Sequence, residues 1–235
     1  MSENEHLVAL TEDINYFPPI ESALTEPNGL LAIGGDLHPQ RLLNAYRRGI
    51  FPWYDQEPIL WWSPSPRTVL FLDDLHISGS MKKLLKKHQF KIKMDENFAQ
   101  VIALCGSLRE PQPGTWITPQ MQNAYITLHE MGYAHSLEIY QDNQLIGGIY
   151  GLSLGKLFFG ESMFSLVSNG SKIAIIYLVK QLKSWGFELI DCQVWNEHLG
   201  TLGAKLLSRA DFLQKVSQNN LLETKVGKWT LDITV

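Results

Sequence analysis

A chain of 235 residues, 45% hydrophobic and 19% charged, holds enough apolar material for one large or two modest packed domains, which excludes a largely disordered polymer. Its net charge of −4 gives no overall attraction to nucleic acid, and two cysteines without CxxC spacing indicate neither a zinc site nor a disulfide framework, so a reducing cytosol is the expected setting. IAIIYLV (173–179) is far shorter than a membrane span, and the first twenty residues lack the basic start and apolar core of a signal peptide.

The N-terminal third is dense in turn-formers and aromatics: YFPP, EPNGLLAIGGDLHP, a short helical QRLLNAYRRG, then IFPWYDQEPILWWSPSPR. Asp36 is placed to cap that helix, with Pro39 near its start and Gly49 at its end. A domain boundary is expected near 66, giving a small N-terminal domain (1–66) and a catalytic domain (67–235). Beyond it, TVLFLDDL reads as a strand, SGSMKKLLKKH as a helix, and FKIKMD as a strand. NFAQVIALCGSL and TPQMQNAYITLHEMG read as helices, the second with Pro119 in its first turn and Gly132 closing it. AHSLEIY, LIGGIYGLSL and KLFFGESMF form three successive antiparallel strands; Gly147, Gly148 and Gly151 in the middle one suggest a bulge or a ligand passing close to the backbone. SNGSKIAIIYLVKQLKSWG is a helix of about four turns with cap candidates at Ser168 to Ser171, FELIDCQV a strand, and HLGTLGAKLL a short helix. That order suits an α+β fold of acetyltransferase-like (GNAT-like) type. Residues 213–235 carry no usable motif.

Two stretches place acids in apolar surroundings: Glu161 between Phe159 and Phe164, and Asp191 with Gln193 in FELIDCQVW. Strand alternation puts Asp191 and Gln193 on one face and Cys192 and Val194 on the other. The two strands join through one helix, so neighbouring placement would bring Glu161 to the same site. Such a group is costly unless it binds a cation, shares hydrogen bonds or ionises unusually. Alternatively, Glu161 caps a loop and Asp191 pairs with Arg67 or a lysine. The seven histidines show no HxxxH or HExxH spacing, and there is no GxSxG elbow or Walker lysine. KKLLKKHQFKIK (82–93) carries six of the twenty Lys and Arg without an acid, reading either as a nucleic-acid surface, joined by Arg41, Arg47, Arg48 and Arg67, or as a solvated helix face. Trp53, Trp61, Trp62 and Trp116 divide between core packing and stacking on a base.

EPNGLLAIGGDLHPQRLLNAYRRGIFPW (26–53), PILWWSPSPR (58–67), GTWIT (114–118), GESMFS (160–165) and IDCQVWNEH (190–198) together resemble the leucyl/phenylalanyl-tRNA–protein transferase family, colinearly from about residue 17 to about 212. The resemblance implies a small N-terminal domain, an acetyltransferase-like catalytic domain, and transfer of Leu or Phe, Met more weakly, from aminoacyl-tRNA to proteins with N-terminal Arg or Lys, marking them for degradation. It implies a catalytic centre at Asp191, Gln193 and Glu161. Trp53 and Trp116 would lie against the terminal adenosine, and Tyr125, Ile149, Phe158, Met163, Leu178 and Leu182 about the bound substrate. Arg67, Lys82, Lys83, Lys86 and Lys87 would face the tRNA. Gly-Gly-Ile149-Tyr-Gly stands where the family has Gly-Gly-Met-Tyr-Gly, and Leu178 and Leu182 stand where an aromatic is found, so the departures concentrate in the donor pocket.

No cofactor, metal or membrane is implied. An aminoacyl ester is already activated, so positioning and proton removal suffice. Two rival readings are a small-molecule N-acetyltransferase and a non-catalytic RNA-binding module. The junction SLVSNGSKIA lacks the [RQ]-x-x-G-x-[GA] loop of the first, and the buried-looking Asp191 and Gln193 speak against the second.

Overall fold

Two sheets divide the chain. The computed structural model describes residues 7–87, 89–108 and 116–233. The first sheet holds β1 (Val8–Leu10), β2 (Leu30–Gly34), β3 (Phe51–Pro52) and β4 (Leu60–Trp62) in the order β1-β2-β4-β3, with helix α1 (Pro39–Tyr46) between β2 and β3. Pro39 opens α1, but His38 caps it, accepting from the Gln40 N–H. Asp36 instead accepts from the His38 N–H at 2.8 Å and pairs with the buried Arg41, so neither residue plays its expected part as helix cap or surface cation.

Then come β5 (Arg67–Phe71), α2 (Gly79–Leu85), β6 (Lys91–Met94), α3 (Phe98–Ser107), α4 (Pro119–Glu130), β7 (Ala134–Gln141), β8 (Gln144–Leu154) and β9 (Leu157–Ser165). They are followed by α5 (Gly170–Ser184), β10 (Leu189–Gln193), α6 (Glu197–Thr201), β11 (Lys205–Leu207) and α7 (Arg209–Asn219). The second sheet runs β11-β5-β10-β9-β8-β7-β6, with β9 and β10 parallel across the α5 crossover. This is an α+β arrangement with a smaller N-terminal sheet, as the motif order anticipates. No helix among the described residues is long and apolar enough to cross a membrane.

The glycines of β8 serve packing. A Cβ on Gly147 would lie 2.6 Å from the backbone of Gly170, so the α5 N-terminus sits directly on the strand. Register shifts fall between Tyr150 and Gly151 of β8 against β9, and between Ile139 and Tyr140 of β7 against β8. Neither Ser168 nor Ser171 caps α5 with its side chain. Asn169 stands at the cap in the left-handed region, φ 72°, while Ser165 Oγ accepts from the Ser171 N–H at 2.6 Å.

Sequence reading also misses β11, α7 and the tail, and these close the fold. Asn219 accepts from the Lys156 N–H at 2.6 Å and donates to the Leu154 carbonyl at 2.8 Å, holding the β8–β9 turn. Beyond it Trp229 is buried, with its ring stacked on His135 at 3.6 Å. Its backbone N–H donates to Asp95 Oδ2 at 2.7 Å, the oxygen that also bonds His135 Nδ1 at 2.8 Å. Burial holds the His135 imidazole below its ordinary pKa. Trp229→Ala removes a large buried ring, so the urea-unfolding free energy followed by circular dichroism should fall by about 3–5 kcal/mol; a loss under about 1 kcal/mol would show that the tail is not fastened there.

Candidate active site

β10 lies between β5 and β9, so its residues face groups from both. Asp191 pairs with Val69 and Gln193 with Thr68, which makes Cys192 the extra residue of a bulge. The expected simple alternation of Asp191 and Gln193 therefore fails at this point. Gln193 takes a left-handed backbone, φ 63°, which costs an L-residue about 1–2 kcal/mol. Asp191 offsets that cost: its Oδ1 accepts from the Gln193 backbone N–H at 2.9 Å.

Asp191 is fully buried. Its oxygens take Nε and Nη2 of Arg67 at 2.8 and 2.7 Å, a bidentate fork. Arg67, expected to face the tRNA, is likewise 0% exposed. Its guanidinium lies 4.6 Å from the ring centroids of Phe51 and Phe212, and Nη1 donates to the Gly49 carbonyl at 3.2 Å. The carboxylate selects this place for Arg67; a guanidinium so enclosed cannot meet a phosphate.

Glu161 is the third member. β10 pairs in parallel with β9 as far as Asp191 and Phe159, and just beyond that point Gln193 Nε2 donates to Glu161 Oε1 at 2.8 Å. The same oxygen accepts from the Tyr46 hydroxyl at 2.6 Å, and Tyr46 meets the Tyr125 hydroxyl in turn. Glu161 Oε2 is buried and has no hydrogen-bond partner among the described residues. Burial pushes the carboxyl up to about 7. The Tyr46 and Tyr125 hydroxyls and the Gln193 amide pull it down, while the Asp191 charge raises it. Both phenols are held well above their ordinary range, chiefly by burial.

Glu161 lines a pocket of about 110 Å³ walled by Ile149, Met163, Ile175, Ile190 and Leu199, with Ser162, Cys192 and Asn196 adding polar atoms. Burial and the Asp191 charge push the Cys192 thiol far up, so it stays protonated. Of the expected substrate residues, Ile149 and Met163 reach this wall and Tyr125 stands behind Tyr46. Phe158, Leu178 and Leu182 are instead packed in the core around α5, and Phe158 neighbours Trp229. Long side chains on an internal strand and helix were drawn there by packing. Trp53 is 43% exposed and leans on Trp62, while Trp116 is half-buried against the core. Gly114 and Thr115 of the GTWIT motif lie outside the described residues.

Lys82, Lys83, Lys86 and Lys87 are all exposed on α2 and its end. Lys83 and Lys87 border a cleft of about 620 Å³ that Lys172 and Asn169 share from the α5 end. Among the described residues, no group of three or more His, Cys, Asp and Glu is placed to hold a metal. Sequence reading missed Tyr46 as a partner of Glu161. NAYRRG carries no signal for it, because a tyrosine in a short helix is ordinary core material.

The profile described as leucyl/phenylalanyl-tRNA protein transferase matches residues 69–217, and that of the corresponding N-terminal domain matches residues 35–65. The leucyl/phenylalanyl-tRNA–protein transferase of Pseudomonas fluorescens (strain SBW25) is 52% identical over 95% of this chain and 99% of its own length. The protein of that name from Xanthomonas campestris pv. campestris (strain 8004) is 54% identical over 96% of this chain and 91% of its own. Among solved structures, an aminoglycoside acetyltransferase from an uncultured soil metagenomic sample, in complex with trehalose, covers 63% of this chain and 98% of its own at 15% identity and a TM-score of 0.37. The C-terminal domain of a putative lysylphosphatidylglycerol synthetase from Agrobacterium fabrum covers 70% of this chain and 55% of its own, at 10% identity and a TM-score of 0.39. Both structural likenesses are loose.

The Glu161 environment has a consequence for stability. Its folded pKa of about 7 lies above the ordinary 4.5, so between those values the folded state binds the extra proton. Its contribution is complete below about pH 4.5 and is lost as pH rises through 7, by about 3 kcal/mol. The stability difference between Glu161→Gln and the parent should therefore grow in favour of the variant over that range. A flat difference in urea midpoints would show that burial does not raise this carboxyl.

Proposed function

The chain belongs to the leucyl/phenylalanyl-tRNA–protein transferase family, and from that premise we propose that it moves Leu or Phe, Met more weakly, from aminoacyl-tRNA to proteins with N-terminal Arg or Lys, in the cytoplasm, marking them for degradation. The observation that carries the reading is the run of contacts from Arg67 through Asp191 and Gln193 to Glu161, ending beside a small apolar pocket. The division of labour between residues 1–66 and 67–235 belongs to the same proposal.

The donor ester needs no activation, so the groups have to hold two reactants in line and handle one proton. With Nε2 given to Glu161, Gln193 turns its carbonyl oxygen elsewhere, where it accepts a hydrogen bond from the attacking α-amine. Asp191 fixes the Gln193 backbone rather than polarising its side-chain amide, and its own oxygens are committed to Arg67. Glu161, which lines the pocket, attracts the cationic acceptor terminus.

Donor selection follows from volume. A pocket of about 110 Å³ is smaller than the roughly 150 Å³ cavity that admits benzene, which suits a γ-branched aliphatic chain well and an aromatic ring tightly. Apolar walls discriminate by only about 1–3 kcal/mol per methylene, so Leu, Phe and Met are graded rather than sorted absolutely. β-Branched chains are refused where the pocket meets the α-carbon. Trp53 and Trp116 take the terminal adenosine by stacking, and the α2 lysines take the tRNA backbone.

Incubating the protein with labelled leucyl-tRNA and a substrate bearing N-terminal Arg should give tRNA-dependent label in the protein; label that never leaves the tRNA defeats the reading. Changing Lys82, Lys83, Lys86 and Lys87 together to Ala should weaken tRNA binding and flatten its salt dependence by about one unit per lysine that meets a phosphate. Unchanged affinity at low salt would retire the α2 surface.

A further inference from the structure

Resting on the transferase reading above, we propose that Glu161 Oε2 carries the proton of the reaction, and that Tyr46 is the positioning residue that aims it. The two oxygens of Glu161 are unequally used. Oε1 is spent on Tyr46 at 2.6 Å and on Gln193 Nε2 at 2.8 Å. Oε2 is buried, unpartnered among the described residues, and belongs to the one acid that lines the apolar pocket. A buried carboxylate oxygen without a donor is costly to keep and is aimed at something that arrives.

The alternatives beside it are closed. Asp191 has both oxygens on Arg67 and is wholly buried. The Cys192 thiol, on the same pocket wall, is held protonated by burial and by Asp191. The titratable and charged groups packed around Glu161 are Tyr46 from α1, Tyr125 from α4 with Tyr150 of β8 beyond it, and Asp191 from β10, neutralised by Arg67 of β5. Glu161 thus has phenols and an amide for partners and, among the described residues, no cation of its own, which leaves it free to change protonation state at neutral pH.

The step balances as follows. The neutral α-amine attacks the ester carbonyl, its nitrogen lone pair forming the C–N bond, and one amine proton passes to Glu161 Oε2. The C–O bond to the ribose breaks, its electron pair leaving on the ribose oxygen. Glu161 returns the same proton there, so the carboxylate is restored and no co-reactant is consumed. Tyr46 touches neither substrate. It holds Oε1 from behind so that Oε2 points into the pocket.

Single-turnover transfer from bound leucyl-tRNA to a peptide with N-terminal Arg, measured across pH, tests this. In the parent protein both Glu161 and the acceptor amine must lose a proton, so log rate should climb with a slope of about two below the Glu161 ionisation near 7. Glu161→Gln should cut the rate about 100-fold or more and reduce the slope to about one. Tyr46→Phe should keep the slope but move the bend to higher pH, because the lost hydroxyl no longer stabilises the carboxylate. The Tyr46→Phe bend stands as an independent reading should Glu161→Gln prove misfolded by circular dichroism. A slope of two retained in Glu161→Gln, or a Tyr46→Phe loss equal at every pH with the bend unmoved, overturns the proposal while leaving the transferase reading intact. Absence of transfer by the parent protein at any pH would instead remove the reading beneath it.

Discussion

The buried pair between Arg67 and Asp191 is the interaction on which the site depends. Two charges withdrawn from water repay their desolvation only with good geometry and full hydrogen bonding, and removing one partner typically costs about 3–5 kcal/mol. Here the fork is bidentate and the guanidinium is held between Phe51 and Phe212. Phe51 comes from the N-terminal sheet, Arg67 from β5, Asp191 from β10 and Phe212 from α7. Four distant parts of the chain thus meet at one ion pair. Its product is a backbone: the carboxylate that pairs with Arg67 also takes the N–H of a left-handed Gln193.

That arrangement gives two neighbouring carboxyls very different partners. Asp191 has a guanidinium and a backbone N–H; Glu161, among the described residues, has neutral donors and burial. A carboxyl raised by its environment becomes able to exchange a proton near neutrality. Glu161 is raised to about 7 by burial first, with the Asp191 charge adding to it. An Arg-paired Asp191 beside an unpaired Glu161 is therefore a division of roles, set by which acid the arginine reached.

Much of this order was legible in the chain. Three strands, a helix and a strand from 134 to 193 follow from periodicity and turn residues, and the parallel pairing of β9 with β10 follows from their single connecting helix. The co-location of Glu161 and Gln193 could be read for the same reason. The bulge at Cys192 could not, because alternation carries no mark of where one extra residue enters. Arg67 read either as a surface cation or as a partner of Asp191, and the structure takes the second; local pattern could not decide it, because the two lie 124 residues apart. Phe158, Leu178 and Leu182 were expected at the substrate, yet their faces were decided by the core. Tyr46 and Phe212 act through long-range packing, to which local pattern is blind. The C-terminal tail, poor in periodicity, earns its place through Trp229 and Asp95.

A proton carrier for aminolysis must accept from one atom and release to another within the same turnover. The acceptor α-amine has a reference pKa of about 7.7–8.0, so part of it is neutral at neutral pH and ready to attack. A carboxyl at its ordinary 4.5 would be ionised but a weak base, and slow to take the proton. Raised to about 7, Glu161 is still half ionised at neutrality and a far stronger base, and once protonated it is acid enough to release to a departing alkoxide. Burial alone would drive it further up and leave it uncharged. The Tyr46 and Tyr125 hydroxyls and the Gln193 amide pull it back. The pocket's apolar walls and its polar rear therefore act in opposite directions on one carboxyl, and the level at which they meet is the one the amine requires.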